Sequence, residues 1–215
     1  MNIIMRLIRK IYSFFAVTKK KIQVKRFMST LGEAAANSII YMPVHIHGNP
    51  HNIIIKNNSH IYGDFRFISV HGRFIFGENS GAAQGLTVIT DNHVRRVGHY
   101  FIDGPITEDN VSYKDIIVDD DVWIGANVTL CDGCHISRGA VIGAGSVVRT
   151  NIPPYAIVFG NPAKIIGFVY NPEEVKEHES LLYHENNRID FNKYAKNYKK
   201  YYIDRVREIS SFCRL

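Results

Sequence analysis

The chain has 215 residues, 46% of them apolar, and a net charge of +6, which suits one domain with an appendage and an ample core. The charge is uneven: the first thirty residues hold eight Lys or Arg and no acid, and the remainder is 18 basic against 20 acidic. That distribution excludes a basic field over the whole surface and with it general nucleic-acid binding, and three cysteines argue against a disulfide framework and for a reducing, cytoplasmic compartment. In the first segment, residues 1–37, Ile3, Ile4, Leu7, Ile8, Ile11, Phe14 and Phe15 share one face of a helix, and Arg6, Arg9, Lys10 and Ser13 share the other. The arginines break the apolar stretch, so it cannot span a bilayer. The lack of an unbroken apolar run with a small-residue cleavage site argues against a secretory signal. Two roles stay open for this helix. It docks on the end of its own domain or on a neighbouring chain, or residues 1–26 lie on an anionic membrane surface, with Lys19, Lys20, Lys21, Lys25 and Arg26 adding attraction. Docking is preferred, because the first unit of a stacked repeat needs a cover.

From Ser38 onward the chain reads as short strands. Ile53-Ile54-Ile55, Phe65-Arg66-Phe67-Ile68 and Phe74-Ile75-Phe76 are β-prone, and Asn57-Asn58, Gly63-Asp64 and His71-Gly72 punctuate them. An apolar residue returns at Phe76, Ala82 and Val88. The stretch of about residues 92–115 then loses the pattern and carries His93, Arg95, Arg96, His99, Tyr100, Asp103 and Pro105. Insertions in repeat proteins gather on the binding face, so this reads as an extruded functional loop. From Val118 the period is strict: Val118, Ile124, Leu130, Ile136, Ile142 and Val148 recur every sixth residue, each preceded two positions earlier by Val122, Val128, Cys134, Ala140 or Ser146 from the second onward. Six fits neither a helix nor a flat strand. It fits a chain wound as a triangular prism, one strand per side and one turn per corner, with each coil burying its neighbour's apolar face. Pro153-Pro154 is expected to end the prism at residue 154, since proline cannot continue a ladder. Residues 168–215, rich in Glu, Lys, Leu and Tyr from Glu173 to Phe212, are expected to form one or two helices that cap the open end.

Val122-Trp123-Ile124-Gly125, Ile142-Gly143-Ala144-Gly145-Ser146-Val147-Val148, Ile152-Pro153-Pro154 and Gly160-Asn161-Pro162-Ala163-Lys164 together resemble the hexapeptide-repeat acyltransferases. Within them the chain is most similar to the group of maltose, galactoside, xenobiotic and capsule-sugar O-acetyltransferases. The resemblance covers residues 38–167. It implies a mainly β fold, a left-handed parallel β-helix, and a homotrimer with its active sites between neighbouring prisms. It also implies acetyl-CoA as acyl donor, with no metal, and a sugar or glycan hydroxyl as acceptor.

The family's catalytic base matches Thr90-Asp91-Asn92-His93 and falls on His93. Acyl transfer from a thioester to a hydroxyl needs a base that works near neutrality, and histidine, with an unperturbed pKa of about 6.5, is the ready choice. The family's donor contacts match Trp123, Ala126, Ala144, Arg149, Thr150 and Lys164. Ala126 replaces a common serine, and Gly167 stands where some members carry a second arginine. Arg149 and Lys164 suit the phosphates of the donor. Asp64, Asn92 and His99 are the acceptor-side candidates. His45, His47, His51, His60 and His71 read as turn or surface residues. Cys131 and Cys134 form a lone CxxC, but in the six-residue frame Cys134 points in and Cys131 out, which is poor geometry for zinc or a disulfide. Three alternatives are weighed beside the O-acetyltransferase. A carbonic anhydrase of the same fold would need His71, His93 and His99 to converge on an ion. Transfer could instead go to an antibiotic or to the amine of an amino sugar. A non-enzymatic solenoid would leave the histidine-headed loop without a job.

Overall fold

The computed structural model describes residues 3–102 and 111–212; the side chains of Ile3, Ile4, Arg6, Leu7, Ile8, Ile11, Phe14, Val111 and Phe212, and the loop residues Asp103 and Pro105, lie outside what it describes. Three parallel sheets form the sides of a left-handed β-helix. Sheet A contains β1 (Glu33–Ala34), β4 (Ile53–Ile55), β7 (Phe74–Phe76), β12 (Ile116–Val118) and β15 (His135–Ile136). Sheet B contains β2 (Ile39–Ile40), β5 (His60–Ile61), β8 (Gly81–Ala82), β13 (Trp123–Ile124), β16 (Val141–Ile142), β18 (Ala156–Phe159) and the antiparallel β19 (Lys164–Phe168). Sheet C contains β3 (Val44–Gly48), β6 (Phe65–Ser69), β9 (Thr87–Ile89), β14 (Thr129–Cys131) and β17 (Val147–Val148). The remaining two strands, β10 (Asp91–His93) and β11 (Val111–Tyr113), pair with each other outside the prism.

The six-residue phase is the packing phase. Val118, Ile124, Leu130, Ile136, Ile142 and Val148 are all buried, as are Val122, Val128, Cys134, Ala140 and Ser146 two residues before each return. In register, Ala82, Ile124 and Ile142 stack down sheet B, and Val88, Leu130 and Val148 down sheet C. The early coils are filled by rings instead. Phe65, Phe67, Phe74 and Phe76 are fully buried, and successive centroids lie 5.7 to 6.5 Å apart. Each such side chain contributes about 1.5–3 kcal/mol by leaving water.

The two ends of the prism differ from expectation. The prism does not end at Pro154: Ile152 bridges to Ile136, and β18 continues sheet B by parallel pairing with β16. The prolines fall at the corner between sheets A and B, where no ladder donor is required, so their missing N–H costs nothing. At the other end, β1 pairs with β4 at Glu33 and Ala34, so the first strand lies inside the segment 1–37 expected to be helical.

Helix α1 (Ile3–Met28) precedes the prism. Phe27 and Met28 pack on the core below it. Earlier along the helix Met5, Tyr12, Val17 and Ile22 are each more than half exposed. Among the described residues the core packing is at the last turn, while Val17, Val24 and Met28 face Ala34, Ile39 and Tyr41 across a hollow between the helix and the first coil. Past β19 the chain forms α2 (Pro172–Leu182), α3 (Phe191–Tyr201) and α4 (Val206–Phe212), three helices rather than one or two. A buried carboxylate fastens them to the prism. Glu179 of α2 accepts hydrogen bonds from the Tyr155 hydroxyl (2.6 Å), Arg138 Nη1 (3.2 Å) and the Ile189 N–H (3.2 Å). Burial, and then the bond to Glu179, pushes the Tyr155 hydroxyl well above the ordinary tyrosine range. Gly139 must be glycine beside this ring: its φ is +68°, and a Cβ there would lie 2.1 Å from the Tyr155 ring.

Candidate active site

The interrupted stretch leaves the prism where sheet C ends and begins as a ribbon. Asp91, Asn92 and His93 pair antiparallel with Tyr113, Ser112 and Val111. The base of the ribbon is held by Asp91. Its carboxylate accepts N–H bonds from Val70 (2.8 Å), His71 (3.0 Å) and Gly72 (3.0 Å), and a hydroxyl bond from Thr90 (2.8 Å). Burial alone would raise this carboxyl. The bonds from Gly72, Val70, Thr90 and His71 outweigh it and hold the group below the usual carboxylate range. His71 Nδ1 lies 3.4 Å from the same carboxylate, and the His71 ring stacks on Tyr113 at 5.1 Å. This coupling of the turn at residues 70–72 to the ribbon was not evident from sequence, because an aspartate after a threonine carries no distinctive signal.

His93 is exposed beyond this anchor. Its ring meets Phe101 edge to face at 5.3 Å, and the Arg95 guanidinium sits 5.7 Å from the centre of the Phe101 ring. Phe101 thus limits where the imidazole can turn. The Asn92 side chain accepts the His93 backbone N–H at 2.9 Å, so it braces the ribbon. His99 is exposed within the loop, its N–H on the Arg96 carbonyl at 3.4 Å.

A second group of expected residues lies along the corner between sheets B and C. Gly63-Asp64, Gln84-Gly85, Ala126-Asn127 and Ala144-Gly145 stack there, joined by N–H bonds from Gly85 to Gly63, from Asn127 to Gln84 and from Gly145 to Ala126. Asp64, at φ +65°, pairs with Arg66 at 2.8 Å and His45 at 3.3 Å. Trp123 is not a core residue. It is half exposed on the outer side of sheet B, lying over Gly81, where a Cβ would stand 3.2 Å from the ring. Hollows of about 560 and 450 Å³ flank it, the first lined by Tyr41, Tyr62 and Gln84, the second by His60, Asn79 and Asp121.

The two groups do not meet within one chain. Asp64 precedes the five-residue strand β6 at one end of sheet C, and His93 leaves from the other end. Five strand residues span about 16 Å. Arg149 and Thr150 leave sheet C at the His93 end, two strands further along, while Lys164 opens β19.

Thr150 and Lys164 do come together, in a hollow of about 310 Å³ at the end of the prism. Tyr201 and Arg205, from the C-terminal helical segment, complete its wall. Nothing in the repeat pattern marks these two residues, because they lie outside it. Arg149 is beside Cys131 in the next coil; burial raises the Cys131 thiol and Arg149 partly offsets this. Cys134 is buried, with its thiol pushed up to about 12. Thiols raised in this way are poor nucleophiles. Among the described residues no group of three or more His, Cys, Asp or Glu is arranged to hold a metal ion.

These features define a class, the left-handed β-helix built of hexapeptide repeats. Residues 115–150 match the family model described as bacterial transferase hexapeptide (six repeats), and the Trp123-Ile124-Gly125 and Ile142 to Val148 motifs fall inside that match. The chain superposes on a maltose O-acetyltransferase from Clostridium difficile 630 with a TM-score of 0.58 and 26% identity, over 67% of this chain and 73% of that one. A hexapeptide-repeat acetyltransferase from Vibrio cholerae shares the fold, with a TM-score of 0.57 and 24% identity over 67% and 78% of the two chains. Among curated proteins, 2,3,4,5-tetrahydropyridine-2,6-dicarboxylate N-acetyltransferase from Staphylococcus aureus (strain JH9) is 36% identical over 66 residues. That match spans 31% of this chain and 28% of the relative's length. The resemblance to hexapeptide-repeat acyltransferases read from the motifs is thus met in repeat and fold.

Proposed function

We propose that this protein is an acetyl-CoA-dependent O-acetyltransferase that moves an acetyl group to a hydroxyl of a sugar or glycan precursor, with His93 as general base. The observation that carries the reading is the position of His93. It heads a ribbon thrown out of a hexapeptide prism similar to that of a maltose O-acetyltransferase, and Asp91 clamps the ribbon's base. In this reading the acceptor oxygen attacks the thioester carbonyl while His93 Nε2 or Nδ1 takes the hydroxyl proton. A tetrahedral oxyanion forms, held by backbone N–H groups. The C–S bond then breaks, and the departing thiolate takes the proton back from His93. Trp123, Ala126 and Ala144 flank the donor's arm, and Arg149, Thr150 and Lys164 meet its phosphates. Asp64, Asn92 and His99 are assigned to the acceptor side.

Because the His93 column and the Trp123 column lie at different corners, the working site takes one from each of two chains, which suits a homotrimer. The sheet B face carrying exposed Tyr41, Tyr62, Trp123 and Phe159 is the apolar surface such an assembly would cover. The reading places the enzyme in the cytoplasm, with the exposed part of α1 against an anionic membrane face where lipid-linked glycans are built.

An amine acceptor is the second reading, favoured by the N-acetyltransferase relative. Labelled acetyl-CoA offered with sugars, nucleotide sugars and amino sugars tests both. The expected result is label on a sugar hydroxyl, with kcat lowered at least about 10²-fold in His93→Ala, the usual scale for loss of a general base. Label confined to amines selects the second reading, and a His93→Ala variant of near-full rate removes the base assignment.

A further inference from the structure

The hollow at the end of the prism contains more positive charge than the repeat motifs account for. Lys164 and Thr150 were expected there; Arg205 was not, and it comes from a segment outside the hexapeptide region. The Arg205 guanidinium is held in place by the Ile165 carbonyl (3.4 Å, Nη1) and by a two-pronged pair with Glu208 (2.9 Å from Nε and from Nη2). Glu208 is 60% exposed and Arg205 29%. A pair this open to water is weakly held and exchangeable. Glu208 lies low in pKa chiefly through Arg205, with Lys164 adding to the effect, so both cations act on one anionic position. Arginine's planar fork matches a phosphate as well as it matches a carboxylate.

We propose that Arg205, with Lys164 and Thr150, binds the ribose 3′-phosphate of the CoA donor, the phosphate replacing Glu208 on the guanidinium. This rests on the reading of acetyl-CoA as donor. Three features support it. Arg205 brings a guanidinium to the carbonyl of Ile165, the residue after Lys164, on the wall of the same hollow. The hollow lies beyond β17, two strands of sheet C past the His93 ribbon, and so roughly 10 Å or more along the prism axis. A donor with its thioester at His93 therefore reaches the hollow with its far, nucleotide end. Finally, a phosphate monoester is the donor's most concentrated negative charge and calls for two cations rather than one. Arg205 is a positioning residue in this scheme and touches no reacting atom.

Steady-state kinetics with acetyl-CoA and with its 3′-dephospho form test the assignment, using wild type, Arg205→Ala and Arg205→Lys. Removing the 3′-phosphate is expected to raise the wild-type KM about tenfold with kcat held, as for a contact made equally in ground and transition states. Arg205→Ala should show that same raised KM with acetyl-CoA and no further loss with the dephospho donor, the signature of a directly coupled pair. Arg205→Lys should recover part of the loss. A merely structural role would lower kcat or melting temperature and leave the sensitivity to the 3′-phosphate intact, and that result overturns the proposal. Failure of the wild type to use or bind acetyl-CoA at all would instead bring down the donor reading and this inference with it.

Discussion

At the scale of single residues, the place where the chain leaves the prism was legible and the clamp at its base was not. His93 follows a Thr-x-x-His context at the point where the six-residue phase breaks off. The clamp that holds it is made by backbone N–H groups of residues 70–72, one coil earlier, and no side-chain pattern encodes that. Its energetics give a pH prediction. Asp91 has its pKa lowered in the fold. Its contribution to stability is therefore complete above the unfolded carboxyl pKa of about 4 and is lost as pH falls from there through the lower folded value. Asp91→Ala leaves three N–H donors without their acceptor, and the expected cost is about 1–3 kcal/mol near neutrality. The urea midpoint of wild type should lie above that of the variant at neutral pH, and the gap should narrow as pH falls below the unfolded carboxyl pKa of about 4. A gap of constant size across that range would mean that the Asp91 charge does not matter to the fold.

The elements divide in the same way. Coils from Val118 to Val148 were legible because every inward position admits only a small or branched apolar side chain. The coil after Pro154 was not, because a proline pair looks like a terminator unless its corner position is known; Ala156 and Val158 are nonetheless buried in register with β16. The ribbon β10–β11 was hidden because three residues on either side of a long loop are too few to show alternation. Helix α1 was legible as a helix, but its attachment was not. Among the described residues, Phe27 and Met28 at its C-terminal end pack on the core, while the 26-residue helix is about 39 Å long. Deleting residues 1–22 removes Met5, Tyr12, Val17 and Ile22, which are all exposed, and should leave the melting temperature nearly unchanged. The same deletion should abolish co-sedimentation with vesicles containing anionic lipid, and added salt should weaken the binding of the intact chain. A fall in melting temperature, with no vesicle binding by either protein, would return the helix to docking.

At the scale of the whole molecule, the residues of the proposed site stand at two different corners of one prism. His93 and Arg149 stand at one end of sheet C, and Asp64, Ala126 and Ala144 at the other, with Trp123 around that second corner on sheet B. The repeat period could not reveal this, since it records which residues point inward and is silent on which corners of two neighbouring prisms face each other. If the site is shared, damage at one corner can be repaired by an undamaged partner. His93→Ala and Trp123→Ala should each be nearly inactive as a pure assembly. Co-expressed in equal amounts, they should regain activity, because random assembly leaves about one quarter of all sites, one in each mixed trimer, pairing an intact His93 corner with an intact Trp123 corner. Light scattering on the mixed sample should give three times the chain mass. Mixing the two purified assemblies without subunit exchange should restore nothing, and exchange at low protein concentration should bring the activity up over time. If co-expression of the two variants gives no more activity than their separate sum while the chains do assemble, each site is complete within one chain. The donor would then have to run along a single prism, past His93 and Arg149, without touching Trp123.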